Sequence, residues 1–101
     1  MIYNKLVRDK IPEMIVVQGE TPVYSVLGDE EYIRCLEAKL DEEVKEFHEE
    51  KNIEELADVL EVVIALAEAG GHTKEALIAA YREKHEKRGG FSKKIFLISK
   101  E

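Results

Sequence analysis

Lys39-Leu40-Asp41-Glu42-Glu43-Val44-Lys45-Glu46 and, after a gap of eight residues, Glu55-Leu56-Ala57-Asp58-Val59-Leu60 decide how this chain of 101 residues folds. Glu43 and Glu46 are spaced i, i+3, as are Glu55 and Asp58, so each pair projects from one side of a helix. Leu36, Leu40, Val44 and Phe47 surround the first pair, and Val59, Leu60, Val62 and Val63 the second. Carboxylates are rarely buried among such neighbours without a counter-charge. For four converging carboxylates the simplest counter-charge is an oxygen-seeking divalent cation, Mg²⁺ or Mn²⁺.

Working outward, the segment before this region reads as one long helix. Residues placed about 100° apart put Tyr32, Ile33, Leu36, Leu40, Val44 and Phe47 on one apolar arc. Glu43 falls inside the arc, Lys39 and Glu46 at its margin and Glu42 well outside it. Asp29 is the expected N-cap, and the helix runs to about Glu50. A second helix is expected from near Asn52 to Ala69, stopped by Gly70-Gly71 and apolar over most of its circumference, as in a helix buried on several sides. The short Lys51-Asn52 connection makes the two helices antiparallel neighbours, with both acid pairs at similar heights.

Pro12 to Gln18 reads as a short helix ended by Gly19. Thr73 is the expected cap of a further helix reaching about Arg88, with Leu77, Ala80 and Tyr81 inward and Arg82, Lys84, Lys87 and Arg88 outward or toward a ligand. Val23 to Leu27 and Lys94 to Ser99 look like short strands that pair with each other. The expected architecture is a single all-α domain over residues 1–101, a helical bundle carrying a small two-stranded patch near 23–27 and 94–99.

Composition narrows the function. A net charge of −7 conceals segregation: 14 of the 22 acids, against only 4 of the 15 Lys and Arg residues, lie between Asp29 and Glu61. The middle suits a metal and the net-positive ends a polyanion such as phosphate. Glu30, Glu31, Glu37, Glu49 and Glu50 read as solvated helix faces. The single cysteine, Cys35, excludes an intrachain disulfide and a cysteine-built zinc site. His48, His72 and His85 lack ligand spacing, so zinc is not expected. No apolar run reaches membrane-spanning length, no nucleic-acid motif is present, and the N-terminus lacks the features of a signal peptide, which makes the cytoplasm the expected compartment. The second helix offers more apolar surface than one chain can cover, so a homodimer or a dimer of dimers is expected.

The two acidic stretches together resemble the EExxE…ExxD signature of the all-α nucleotide pyrophosphohydrolases. That superfamily includes MazG-like proteins, dimeric dUTPases and phosphoribosyl-ATP pyrophosphohydrolase. Tyr3-Asn4-Lys5-Leu6-Val7-Arg8-Asp9-Lys10-Ile11-Pro12 and Lys87-Arg88-Gly89-Gly90-Phe91 resemble a small MazG-like branch. The resemblance spans nearly the whole chain, although the gap between the motifs is at the compact end for the superfamily. It implies Mg²⁺-dependent hydrolysis of a nucleoside triphosphate to the monophosphate and pyrophosphate, with Mn²⁺ as a substitute metal. Carried over by position, the metal ligands are Glu43, Glu46, Glu55 and Asp58. Glu42 is assigned beside Glu43 to the catalytic group, holding a second metal or the attacking water. Lys5, Arg8, Lys10, Lys84, Lys87 and Arg88 are the candidates for holding the triphosphate. Two alternatives accompany this reading: hydrolysis of phosphoribosyl-ATP in histidine synthesis, and a non-catalytic helical module that oligomerises and uses its acids for solubility.

Overall fold

The computed structural model describes all residues, 1–101. Four helices follow one another: α1 (Ile11–Val17), α2 (Asp29–Glu50), α3 (Ile53–Ala69) and α4 (Lys74–Arg88). Pro12 stands in the first turn of α1, where its missing N–H is not needed, and Gly19 at φ 87° ends the helix region. Gly28, in extended conformation, takes the N-cap position of α2 without a side-chain bond, so Asp29 is the first helical residue and not the expected cap. Its charge still favours the helix N-terminus, together with Glu30 and Glu31.

Two residues reverse the chain between α2 and α3. Lys51 adopts the left-handed conformation (φ 52°, ψ 37°), and its N–H donates to the Phe47 carbonyl at 2.8 Å. Asn52 returns to extended backbone, and its Oδ1 accepts the Glu55 N–H at 3.0 Å. The cap that starts α3 therefore also fixes the backbone of Glu55, the first of the two predicted ligands on that helix. Thr73 caps α4 as expected, its Oγ1 accepting the Ala76 N–H at 3.0 Å.

The antiparallel α2–α3 pair is the main packing unit, α4 leans on α3 over a shorter stretch, and no other helices pack together. Only Leu36, Glu43 and Val62 are buried, at 3%, 6% and 7% exposure. The arc read from the sequence is rotated slightly: Leu36, Leu40, Glu43 and Phe47 turn inward, whereas Ile33 and Val44 reach its outer edge. Burial of α3 on several sides is not found within one chain, since Ile53, Leu56 and Leu60 are exposed. On α4, Leu77 and Ile78 are half-buried, and Ala80 and Tyr81 face solvent, contrary to expectation.

The two-stranded patch is not formed. Residues 20–28 and 95–101 have no regular structure, and no backbone hydrogen bond joins them. Lys94 sits at φ 60° in a turn closed onto the Phe91 carbonyl (3.0 Å), which removes the first residue of the second expected strand. Two short strands need a third strand or a helix to cover their apolar face, and here Val23, Tyr24, Val26 and Ile95 to Ile98 are all exposed.

The chain is extended for its size. Its radius of gyration is 17.7 Å, against about 13 Å for a compact domain of this length. Its accessible surface is 9338 Å², where about 5,800 Å² is expected of a folded monomer of this mass.

The Asn52 cap yields a direct test. Asn52→Ala is expected to cost about 1 kcal/mol, roughly 4–8 °C in Tm at fixed protein concentration, and Asn52→Asp should restore most of it. Thermal unfolding followed by circular dichroism checks both.

Candidate metal centre

The α2–α3 pair brings the four predicted ligands into two overlapping groups that share Glu43. Oxygens of Glu43, Glu55 and Asp58 lie within 4.8 Å of one another, and those of Glu42, Glu43 and Glu46 form a second such group sharing Glu43. Opposite oxygens in an ideal Mg²⁺ octahedron are about 4.2 Å apart, so small rotations of the carboxylates reach ligand spacing. The donor set is all oxygen, the chemistry that suits Mg²⁺ or Mn²⁺.

Two atoms in the cluster lack partners: Glu43 Oε2 and Glu55 Oε2 are both buried without a hydrogen bond. For the buried Glu43 such an orphan costs roughly 1–3 kcal/mol, more when charged, and a cation between the helices removes that cost. The residues present therefore fit a divalent metal. The Glu55 carboxyl is pushed up from its ordinary value by loss of hydration first, then by the charges of Glu46, Asp58 and Glu43 and a hydrogen bond with Glu46. That is the signature of a carboxylate crowded by others and without an ion-pair partner of its own.

The neighbouring charges are partly neutralised from two directions. Lys39, one turn before Glu43, places its Nζ 3.1 Å from Glu43 and 3.4 Å from Glu42. Burial lowers the Lys39 ammonium, but its bond to Glu43 and the charges of both glutamates outweigh this and hold it above its ordinary value. Lys5, from the segment before α1, reaches Glu42 at 3.3 Å. Burial raises Glu42, yet Lys5 and Lys39 together bring its carboxyl below the usual range. Arg8 forks onto α3, with Nη2 2.6 Å from Asp58 and Nη1 3.1 Å from Glu61. Its bond to Asp58 raises the guanidinium further.

A cleft of about 450 Å³ opens beside the cluster. Glu43 and Asp58 form its acidic wall, Arg8, Lys10 and Lys39 its basic side, and Tyr32, Leu36 and Val62 part of its apolar floor. Of the six predicted phosphate-holding residues, Arg8 and Lys10 line this cleft and Lys5 stands at Glu42. Lys84, Lys87 and Arg88 do not join them. They are exposed on α4, and Lys87 pairs with Glu83 at 2.9 Å. Their helix packs only on α3, so one chain gives them no route to the acids.

Sequence reasoning missed Lys39 and Glu61 as members of the site. Both were visible as spacing: Lys39 precedes Glu42 and Glu43 by three and four residues, and Glu61 follows Asp58 by three, on the same face.

No family model matches the chain, and no solved structure does. A stretch of 42 residues, 42% of the chain, is 60% identical to a protein of uncharacterised function from Mycolicibacterium smegmatis. The matched stretch spans 43% of that relative's length.

Proposed function

We propose that the chain is a divalent-metal-dependent pyrophosphohydrolase of the MazG-like kind, acting on a nucleoside triphosphate, standard or modified, to release the monophosphate and pyrophosphate. The observation that carries this reading is the buried Glu43 carboxylate, its Oε2 without a hydrogen bond, grouped with Glu55 and Asp58 across the helix pair. Glu43, Glu46, Glu55 and Asp58 are the residues to hold Mg²⁺, and Glu42 with Glu43 and Glu46 offers a place for a second ion. Mg²⁺ bound there supplies neutralisation of phosphate charge and a water made nucleophilic at neutral pH.

The chain's own residues divide the remaining work. Arg8 and Lys10 on the cleft wall offer donors to phosphate oxygens, Arg8 as a planar fork and Lys10 as a point charge. Glu42, with its carboxyl lowered, is a poor proton acceptor and serves to hold Lys5 toward the site. Tyr32, Leu36 and Val62 give the less polar part of a nucleotide a surface to rest on. Lys39 stays with Glu43 and limits the net negative charge that an incoming triphosphate meets.

Assembly belongs to the same proposal. About 3,500 Å² of surface in excess of a folded monomer and the exposed Ile53, Leu56 and Leu60 on α3 support a homodimer or a dimer of dimers that completes the bundle. No helix is long and apolar enough to cross a membrane.

Two outcomes test this. With a nucleoside triphosphate and Mg²⁺, product chromatography should show monophosphate and pyrophosphate, and Glu43→Gln or Asp58→Asn should lower kcat/KM by roughly 100-fold or more with helicity intact. A nucleoside diphosphate as main product, or full activity in both variants, overturns the reading. Light scattering at micromolar concentration should give a mass of at least two chains, and a monomer contradicts the assembly.

A further inference from the structure

We propose that Arg8 is a tethered counter-cation, seated on the acid cluster from the N-terminal segment, and that it gives up Asp58 when the cluster takes up a divalent cation, so that loading the site frees residues 1–10. The inference rests on the metal reading above and adds to it a conformational consequence.

One guanidinium spans two carboxylates a helical turn apart on α3, Asp58 at 2.6 Å and Glu61 at 3.1 Å. Asp58 belongs to the Glu43–Glu55–Asp58 group, so a divalent cation there competes with Arg8 for the charge of the same carboxylate. The second observation is the unsatisfied Glu43 Oε2, more than nine-tenths buried in the same cleft. Arg8 reaches the rim of the cluster and gives Glu43 Oε2 no donor, a gap that a small ion can fill.

Little else holds the segment. No residue before Arg8 forms a backbone–backbone hydrogen bond. Lys5 to Glu42 and Arg8 to Asp58 and Glu61 are the side-chain bonds that fasten residues 1–10 to α2 and α3, with half-buried Leu6 between them. Arg8 is half exposed, and ion pairs of that kind are readily exchanged. Lys39 behaves differently: it sits on α2 itself and keeps Glu43 whatever the N-terminal segment does. Once released from Asp58, Arg8 has its fork free for phosphate.

The test uses the full chain as wild type, Arg8→Gln and Arg8→Lys, with helicity checked by circular dichroism. Mn²⁺ binding is followed by the loss of the free-ion paramagnetic resonance signal, and tryptic cleavage after Lys5 is timed with and without Mg²⁺. Arg8→Gln should bind Mn²⁺ more tightly, by about fivefold as an exposed pair's coupling implies, and Arg8→Lys should fall between. Cleavage after Lys5 should accelerate with Mg²⁺ in the wild type and be fast in Arg8→Gln under both conditions. Mn²⁺ binding that is unchanged or weaker in Arg8→Gln, or cleavage indifferent to Mg²⁺ in the wild type, overturns the latch while leaving the metal site standing. Absence of Mn²⁺ binding in all three proteins overturns both.

Discussion

Glu43 is the one charged residue among the three buried ones, and its Oε2 has no donor anywhere in the helix pair. A carboxylate in that position is tolerated only if charge is brought to it. The surrounding structure answers that demand in part: Lys39 one turn earlier, Lys5 and Arg8 from the segment before α1. These three cations attend Glu42, Glu43, Asp58 and Glu61. Glu55 has no cation of its own, and its raised carboxyl records the residual repulsion. Loss of hydration and like charges act on the same group, and an ion placed between α2 and α3 relieves both.

The geometry that makes this cluster is local, which is why so much of it was legible. A two-residue turn, one Asn cap and i, i+3 spacing on each side suffice to oppose Glu43 with Glu55 and Asp58. The apolar arc marked Glu43 as the inward acid, and the structure buries it. Helix ends were legible for the same reason: Pro12, Asn52, Thr73 and the glycines act within one turn of themselves. Of the four acids that the resemblance marks, the fold groups Glu43, Glu55 and Asp58 together and places Glu46 beside Glu43 with Glu42.

What was not legible depends on partners distant in sequence. The strands expected at 23–27 and 94–99 are rich in strand-favouring apolar residues but have no surface to lie on, and neither forms. The basic residues of α4 look like phosphate ligands by charge alone, yet the helix leans on α3 by a short contact and leaves them in solvent. Lys5 lies at Glu42 and Arg8 at Asp58 and Glu61, an arrangement set by the path of residues 1–10 across the helix pair. The exposed apolar face of α3 belongs to the same class. Its pattern reads as that of a buried helix, yet Ile53, Leu56 and Leu60 are exposed within one chain.

The central claim is that the carboxylates between α2 and α3 form a cation site, and thermal unfolding of the wild type and Glu55→Gln, in chelator and in saturating Mg²⁺, tests it most directly. Because the folded-state Glu55 carboxyl lies above its ordinary value of 4.5, its ionised form opposes folding, and stability falls as pH rises from that value through the raised one. At neutral pH in chelator, Glu55→Gln should therefore melt above the wild type. In Mg²⁺ the order should reverse, since at 100 times its Kd a ligand of the native state adds about 2.7 kcal/mol to a chain that retains its site. The same order in both conditions, with no rise of the wild-type Tm on adding Mg²⁺, would contradict the account.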